Sequence, residues 1–204
     1  MKPESILHEL HERYASLQSY QDEGVLLHKL PGSDFVIEKK FSTFFSRPDR
    51  FRFDWTSHHP YPPLKHITTD HCIWQSASGV HSWWQGEGTE SVADLHLAIS
   101  RAKGVSGGSS YTVPAMLLAV APVFASEMLT VQAVVAGETE GIDCLCVVAF
   151  DSRKRPYRLY IGKDDLLLHR VSSSVMDGST SDEIRRCIQT GHPIEDTIFN
   201  PNRS

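Results

Sequence analysis

The feature that most constrains the fold is a short aromatic segment in the first third of the chain. Phe51, Phe53 and Trp55 alternate with Arg52 and Asp54. This two-residue period is typical of a β-strand that has one aromatic face and one charged face. Large aromatic side chains on one face need a core, a covering helix or a ligand against them. The segment therefore predicts a sheet with one covered face.

Other segments with the same period extend this sheet. The first half of the chain predicts strands at residues 21–30, 35–46, 50–57, 65–75 and 80–85. The second half predicts strands at residues 129–138, 142–150, 156–162 and 166–175. Turn-forming residues such as Pro31, Gly32 and Gly141 separate neighbouring strands, which favours antiparallel pairing.

Helical periodicity appears at both ends and in the middle of the chain. Apolar spacing predicts an amphipathic helix at about residues 3–18 and a helical pair at about residues 91–120. Thr180 and Glu183 have the spacing of a capping box, which predicts a short helix near residues 182–189. Together the pattern predicts one α+β domain, residues 1–204: a large curved antiparallel sheet of about nine strands, with the helices packed on a single face.

Composition argues against several classes of function. The net charge is −5 and no long basic run occurs, so nucleic acid is not an expected partner. The longest apolar region, residues 113–124, is too short for a membrane span and contains Pro114 and Pro122. No glycine-rich phosphate-binding motif is present, and no cofactor is predicted.

The histidines and cysteines do not form a recognisable metal motif. His58, His59, His66 and His71 lack the spacing of zinc ligands, so no metal site is predicted. The cysteines include no CxxC pair. Free, buried thiols are the favoured interpretation, and a disulfide between Cys187 and a strand cysteine is the alternative.

A hydrolase-like pattern occurs at residues 104–108, where GVSGG matches G-x-S-x-G. A nucleophile in that pattern needs a strand that enters the serine and a helix that leaves it. Here a predicted helix enters, and Ser106 lies among glycines, which favours a helix end and a hinge. No catalytic residue is assigned, and a serine hydrolase that uses Ser106 remains the weakest alternative.

Several short motifs, taken in chain order, carry a family resemblance. They are SYQDEG at 19–24, FSRPDRFRF at 45–53, LAIS at 97–100, GVSGG at 104–108, LL at 117–118 and YIGKDDLLL at 160–168. In this order they resemble the periplasmic lipoprotein-carrier superfamily with the LolA/LolB-like fold, most of all its outer membrane lipoprotein-sorting branch. The resemblance spans most of the chain. It implies an unclosed antiparallel barrel of ten or eleven strands, with helices that cover the concave face as a lid.

The resemblance also implies a function and a site. It implies a non-enzymatic carrier that holds a lipid or a lipoprotein acyl chain in a hydrophobic cavity. The candidate residues of the cavity wall are Phe51, Phe53, Trp55, Trp74 and Trp83, and those of the lid are Leu117 and Leu118. In the family's carrier, an arginine before a proline hydrogen-bonds to the lid and holds it closed. By position, this latch is Arg47.

The expected partners follow from the same resemblance. They are a lipid or an acylated protein, with envelope membrane proteins as further candidates, and a monomer is expected. Residues 1–4 lack the apolar core of a signal peptide, and no lipobox cysteine is present. The expected location is therefore the periplasm or cell envelope if a leader was removed, and otherwise the cytoplasm. An alternative of a different class is an envelope scaffold or protein-interaction module whose concavity is filled by its own side chains.

Overall fold

The structure is a computed structural model that describes residues 5–58, 67–174 and 178–201. The first group of strands is β1 Ser19–Lys29, β2 Val36–Ser46, β3 Arg50–His58, β4 Thr68–Ser76, β5 Gly79–Trp84 and β6 Gly88–Val92. The second group is β7 Leu129–Thr139, β8 Ile142–Asp151, β9 Pro156–Gly162, β10 Leu168–Ser174 and β11 Thr180–Thr190. The helices are α1 Ser5–Ser16, α2 Leu95–Val105 and α3 Val113–Leu117, with short 3-10 turns at Ser109–Tyr111 and Asp196–Phe199.

All of these strands belong to one eleven-stranded sheet, in the order β6-β5-β4-β3-β2-β1-β11-β10-β9-β8-β7. Each group is an antiparallel meander of consecutive strands, and the pairing of β1 with β11 joins the two meanders. Since β6 and β7 lie at opposite edges, the sheet does not close into a barrel. The predicted α+β half-barrel is confirmed. It contains two strands, β6 and β11, that periodicity alone did not predict.

Residues 93–128 connect one edge of the sheet to the other and so cross it. We call these residues the crossing segment. It contains α2 and α3, and every residue of α3 is buried. Leu117 of α3 belongs to the same apolar core as Phe53 of β3 and Leu159 of β9. The crossing segment therefore packs on the inner face of the sheet, as the resemblance implied for the lid.

The N-terminal helix closes one end of the half-barrel. Its inward residues have helical spacing and are fully buried: Ile6, Leu7, Leu10 and Tyr14. The Leu168 amide donates to the Tyr14 hydroxyl at 3.1 Å, and Arg13 Nε donates to the Asp165 carbonyl at 3.0 Å. α1 is thereby fixed to the turn between β9 and β10. We call this the plugged end, and the opposite end, at His28 of β1, the mouth.

Three local predictions differ from the structure. The prediction of a helix near residues 182–189 is wrong, because these residues form β11. This strand pairs with β1 along its length, from Thr180 opposite Lys29 to Thr190 opposite Tyr20. Long-range pairing overrides the local capping signal here. The first helix of the crossing segment begins later than predicted, since the Asp94 carboxylate caps it by accepting from the Leu97 amide at 2.8 Å. The four cysteines are free, and Cys187 is exposed rather than buried.

Within the described residues, no helix has the length and apolar character needed to cross a bilayer.

The aromatic core predicts a large effect of truncation on stability. Phe53 is completely buried, so Phe53→Ala should lower the free energy of unfolding by about 3–5 kcal/mol, because it removes apolar contacts and leaves a cavity. Urea unfolding followed by tryptophan fluorescence measures this change. The control is Phe35→Ala, at a side chain that is 45% exposed, where a change below about 0.5 kcal/mol is expected. Equal effects of the two substitutions would contradict this account of the core.

Candidate ligand-binding site

The predicted wall residues of β3 lie on the inner face but belong to the core. Phe51 and Phe53 are fully buried, and Trp55 is 2% exposed. The rings form a continuous stack, with 5.5 Å between the centroids of Phe53 and Trp55 and 5.0 Å between those of Trp55 and His71. The concavity under this part of the sheet is thus filled by the protein's own side chains.

Trp74 and Trp83 lie on the opposite face of the sheet. Directly paired residues of antiparallel strands share a face. Trp74 pairs with Arg52, and Trp83 pairs with Cys72, which in turn pairs with Asp54. Arg52 alternates with the inward residues of β3, and its guanidinium donates to the Ile198 carbonyl of the C-terminal turn at 2.8 Å. The five aromatic residues predicted as one wall are therefore divided between two faces.

The predicted lid and latch residues are also in defined positions. Leu117 is buried in the core, and Leu118 is half-buried against it. Arg47 donates from Nε to the Leu17 carbonyl and from a terminal nitrogen to the Ala15 carbonyl, both at 2.9 Å. In the structure these hydrogen bonds fix the end of α1, and the role of Arg47 as a latch on the crossing segment stays a prediction.

Two adjoining pockets lie at the mouth, between the sheet and the crossing segment. The first has a volume of about 890 Å³ and is lined by residues that include His28, Ile37, Lys39, Ser57, His71, Ser100 and Lys103. We call it the basic pocket. The second has a volume of about 440 Å³ and is lined by residues that include Tyr111, Phe124, Met128, Leu129, Tyr157 and Val171. We call it the apolar pocket.

The two pockets meet along shared residues of β1 and the crossing segment. These are Leu26, His28, Lys103, Gly107 and Gly108. Gly107 and Gly108 have positive φ values of 70° and 101°, which favour glycine. A Cβ on Gly107 would lie 2.2 Å from Leu26 Cδ2, so the backbone touches the sheet at this point. This contact lies at the boundary between the pockets.

A buried ion cluster lies beside the pockets, where β1 meets β11. Arg185 of β11 donates to the Asp22 carboxylate of β1, and its Nε donates to Glu183 Oε1 at 2.9 Å. Arg185 also donates to Thr112 Oγ1 of the crossing segment at 2.8 Å. The Tyr20 hydroxyl donates to Asp22 at 2.6 Å. The cluster thus ties the crossing segment to the strand pair that joins the two meanders.

Burial sets the protonation behaviour of this cluster. Asp22 and Glu183 face a single arginine, so the cluster carries an excess of negative charge when both are ionised. Burial raises the pKa of Glu183, although Arg185 and Thr112 act in the opposite direction. At the mouth, burial lowers the pKa of Lys39 and of His71.

The alternatives for chemistry at Ser106 and the histidines can be compared with this geometry. The Ser106 side chain is fully buried at the end of α2, and its hydroxyl donates to Ser110 Oγ at 3.1 Å. The hydroxyl is not presented to either pocket. His58 and His71 both line the basic pocket, but among the described residues no group of three metal-binding side chains occurs. His59 and His66 lie outside the described residues.

Sequence patterns did not predict most residues that line the pockets at the mouth, because they did not show which face of the sheet each residue occupies. Ser57 continues the inward series of β3, so its position could have been inferred from the alternation that places Trp55. Lys39 pairs with Leu26 and Ser57, which places it on the inner face, whereas its neighbour Lys40 lies on the outer face. In the sequence Lys39 alternates with Phe41 and Phe45, and Lys40 alternates with Phe44, so apolar residues on both faces leave the choice open.

Comparison with known proteins gives fold-level matches. No protein-family model matches the sequence, and no curated protein matches it. Pseudomonas aeruginosa MucB in its complex with MucA has a TM-score of 0.52 and 12% identity, over 97% of this chain and 60% of that chain. The chain thus spans about three fifths of the length of that structure.

Two further structures match with lower scores. An outer membrane lipoprotein-sorting protein domain from Vibrio parahaemolyticus has a TM-score of 0.42 and 9% identity, over 96% of this chain and 95% of that chain. A LolA superfamily protein from Nitrosomonas europaea has a TM-score of 0.35 and 8% identity, over 98% of this chain and 97% of that chain. At these identities the matches concern the fold alone.

The buried cluster predicts a strong difference between two adjacent arginines. Arg185→Met leaves two buried carboxylates without their partner, so the free energy of unfolding should fall by about 3–5 kcal/mol. The matched control is Arg186→Met, whose side chain is 50% exposed and pairs with Glu140 on the outer face. That change should cost about 0–1 kcal/mol. Urea unfolding measures both, and comparable losses would contradict a structural role for the cluster.

The raised pKa of Glu183 predicts a pH dependence of stability. The folded protein holds this proton more tightly than the unfolded chain does. This tighter binding of the proton stabilises the folded state. The stabilisation is fully present below the pKa of the unfolded chain, about 4.3, and is lost as the pH rises through the higher pKa of Glu183 in the folded protein. Glu183→Gln removes this titration. The stability of the variant relative to the native protein should therefore rise as the pH is raised above about 4.

Urea unfolding at a series of pH values measures this difference. A pH-independent difference for Glu183→Gln would contradict the expectation.

Proposed function

We propose that this protein is a non-enzymatic binding protein that shelters the hydrocarbon chain of a lipid or an acylated protein at the mouth of its half-barrel. The observation that carries the proposal is the apolar pocket between the inner face of the sheet and the crossing segment. Tyr111, Phe124 and Met128 line it from the crossing segment, and Tyr157 and Val171 line it from the sheet. The lining is mostly apolar, with polar and charged residues that include Lys103, Asp151, Arg155 and Glu183. A partly enclosed space with a mostly apolar wall is typical of a small-molecule site.

Hydrophobic burial would supply the affinity. Each buried methylene contributes about 0.8 kcal/mol, so about ten methylenes would contribute on the order of 8 kcal/mol before the cost of association is subtracted. The charged residues at this pocket do not oppose such a ligand. Asp151 is held by Arg155 Nε at 2.6 Å, and Glu183 belongs to the buried ion cluster.

The proposed setting is the periplasm or another part of the cell envelope. Support comes from the motif order that resembles lipoprotein carriers and from the fold shared with MucB. A carrier in this setting would receive its ligand from one envelope component and release it to another.

A second candidate is an envelope scaffold or protein-interaction module. Its support is that Phe51, Phe53 and Trp55 fill the central concavity, and that MucB, which has this fold, forms a complex with MucA. Under this hypothesis the mouth would be a surface feature without an acyl ligand. Ligand binding at the apolar pocket separates the two candidates.

Filling the apolar pocket should weaken lipid binding. Ser173 lines this pocket, so Ser173→Trp places a large side chain in it. The affinity for a fluorescent fatty acid should fall by at least about tenfold, a loss of about 1.4 kcal/mol or more. Fluorescence titration measures the affinity, and native mass spectrometry of the purified protein should show a bound lipid in the native protein that the variant lacks.

The matched control is Arg158→Trp. Arg158 lies on the neighbouring strand with its exposed side chain on the outer face, so the affinity should change by less than about twofold. If the native protein has a clean apo mass and does not bind the fluorescent fatty acid, the carrier proposal is wrong and the scaffold is favoured.

A further inference from the structure

The two pockets at the mouth differ in their charge. The described lining of the basic pocket contains Lys39 and Lys103 and includes no aspartate or glutamate. The apolar pocket contains both signs, and its carboxylates at Asp151 and Glu183 are already paired with arginines. Positive charge without a carboxylate in the lining is therefore characteristic of the basic pocket, and it extends through Lys103 to the boundary with the apolar pocket.

Both lysines are positioned by contacts with the crossing segment. Lys39 is half-buried on the inner face, and its ammonium donates to the Val105 carbonyl. One carbonyl uses one of its three donors. The Lys103 ammonium lies 4.1 Å from the centroid of the Tyr111 ring, which lines the apolar pocket. Lys103 lines both pockets, so its charge lies at their boundary.

The burial of Lys39 supports an anionic partner. Burial lowers the pKa of this amine, which shows that its charged form is disfavoured where it stands. An anion beside it would favour the charged form and supply acceptors for its remaining donors. His71, which also lines the pocket, offers further hydrogen-bonding capacity.

We propose that the ligand is a long-chain amphiphile with an anionic head group, held head-first in the basic pocket with its hydrocarbon chain in the apolar pocket. The chain would pass from one pocket to the other across their shared boundary, which is lined by Leu26, His28, Lys103, Gly107 and Gly108. This inference rests on the proposed lipid-binding function and adds the head-group charge to it.

The test compares dodecanoate with dodecanol, which share the chain and differ in the head group. At pH 8, displacement of a fluorescent probe should give a dissociation constant at least about tenfold lower for dodecanoate. This preference should weaken as salt is added, because the lysines are partly exposed to solvent. The double variant Lys39→Gln/Lys103→Gln should bind both ligands within about twofold of each other and bind dodecanol as the native protein does.

Lys40→Gln is the matched control, since Lys40 follows Lys39 but lies on the outer face beside Glu38. It should keep the preference for dodecanoate, and native-like dodecanol binding shows that each variant is folded. Equal binding of dodecanoate and dodecanol to the native protein would overturn the anionic head group and leave the carrier proposal intact. Binding of neither ligand would overturn both proposals.

Discussion

The buried cluster around Arg185 is the interaction on which the arrangement of the molecule depends. The guanidinium joins Asp22 of β1, Glu183 of β11 and Thr112 of the crossing segment, and its carbon lies 4.8 Å from the Phe41 ring centroid. β1 and β11 form the pairing that unites the two meanders. One buried cation thus stabilises both the pairing of β1 with β11 and the position of the crossing segment on the sheet. Charges at this depth are tolerated because each is hydrogen-bonded to its partners.

The cluster, together with α1, determines where space remains inside the half-barrel. α1 fills the plugged end, and the crossing segment is held down at the centre, so the pockets lie at the mouth. Close backbone approaches make this arrangement compact. A Cβ on Gly24 would lie 2.2 Å from the Phe41 ring, and Gly107 approaches Leu26 equally closely. Gly24 and Gly107, which belong to the motifs SYQDEG and GVSGG, therefore allow close packing that a side chain would prevent.

A single strand, β3, contributes both to the filled core and to the open pocket at the mouth. Along β3, Phe51 and Phe53 belong to the core, Trp55 stacks on His71, and Ser57 lines the basic pocket. The half-barrel thus changes from core to cavity over a few residues. For this reason a binding function does not require the central aromatic residues to contact a ligand, and stability and binding can be separated by mutation.

The sequence by itself determined the elements whose inward residues are apolar. β3 and α1 followed from periods of two and 3.6 residues, since burial of alternate or helically spaced apolar residues is a local signal. It did not determine β11, whose inward residues Glu183 and Arg185 are charged and find their partners far away along the chain. Nor did it place Trp74 on the outer face or Lys39 on the inner one. Only the tertiary structure decided these, because strand register and the path of residues 93–128 set which face each side chain occupies, and alternation alone leaves that choice open.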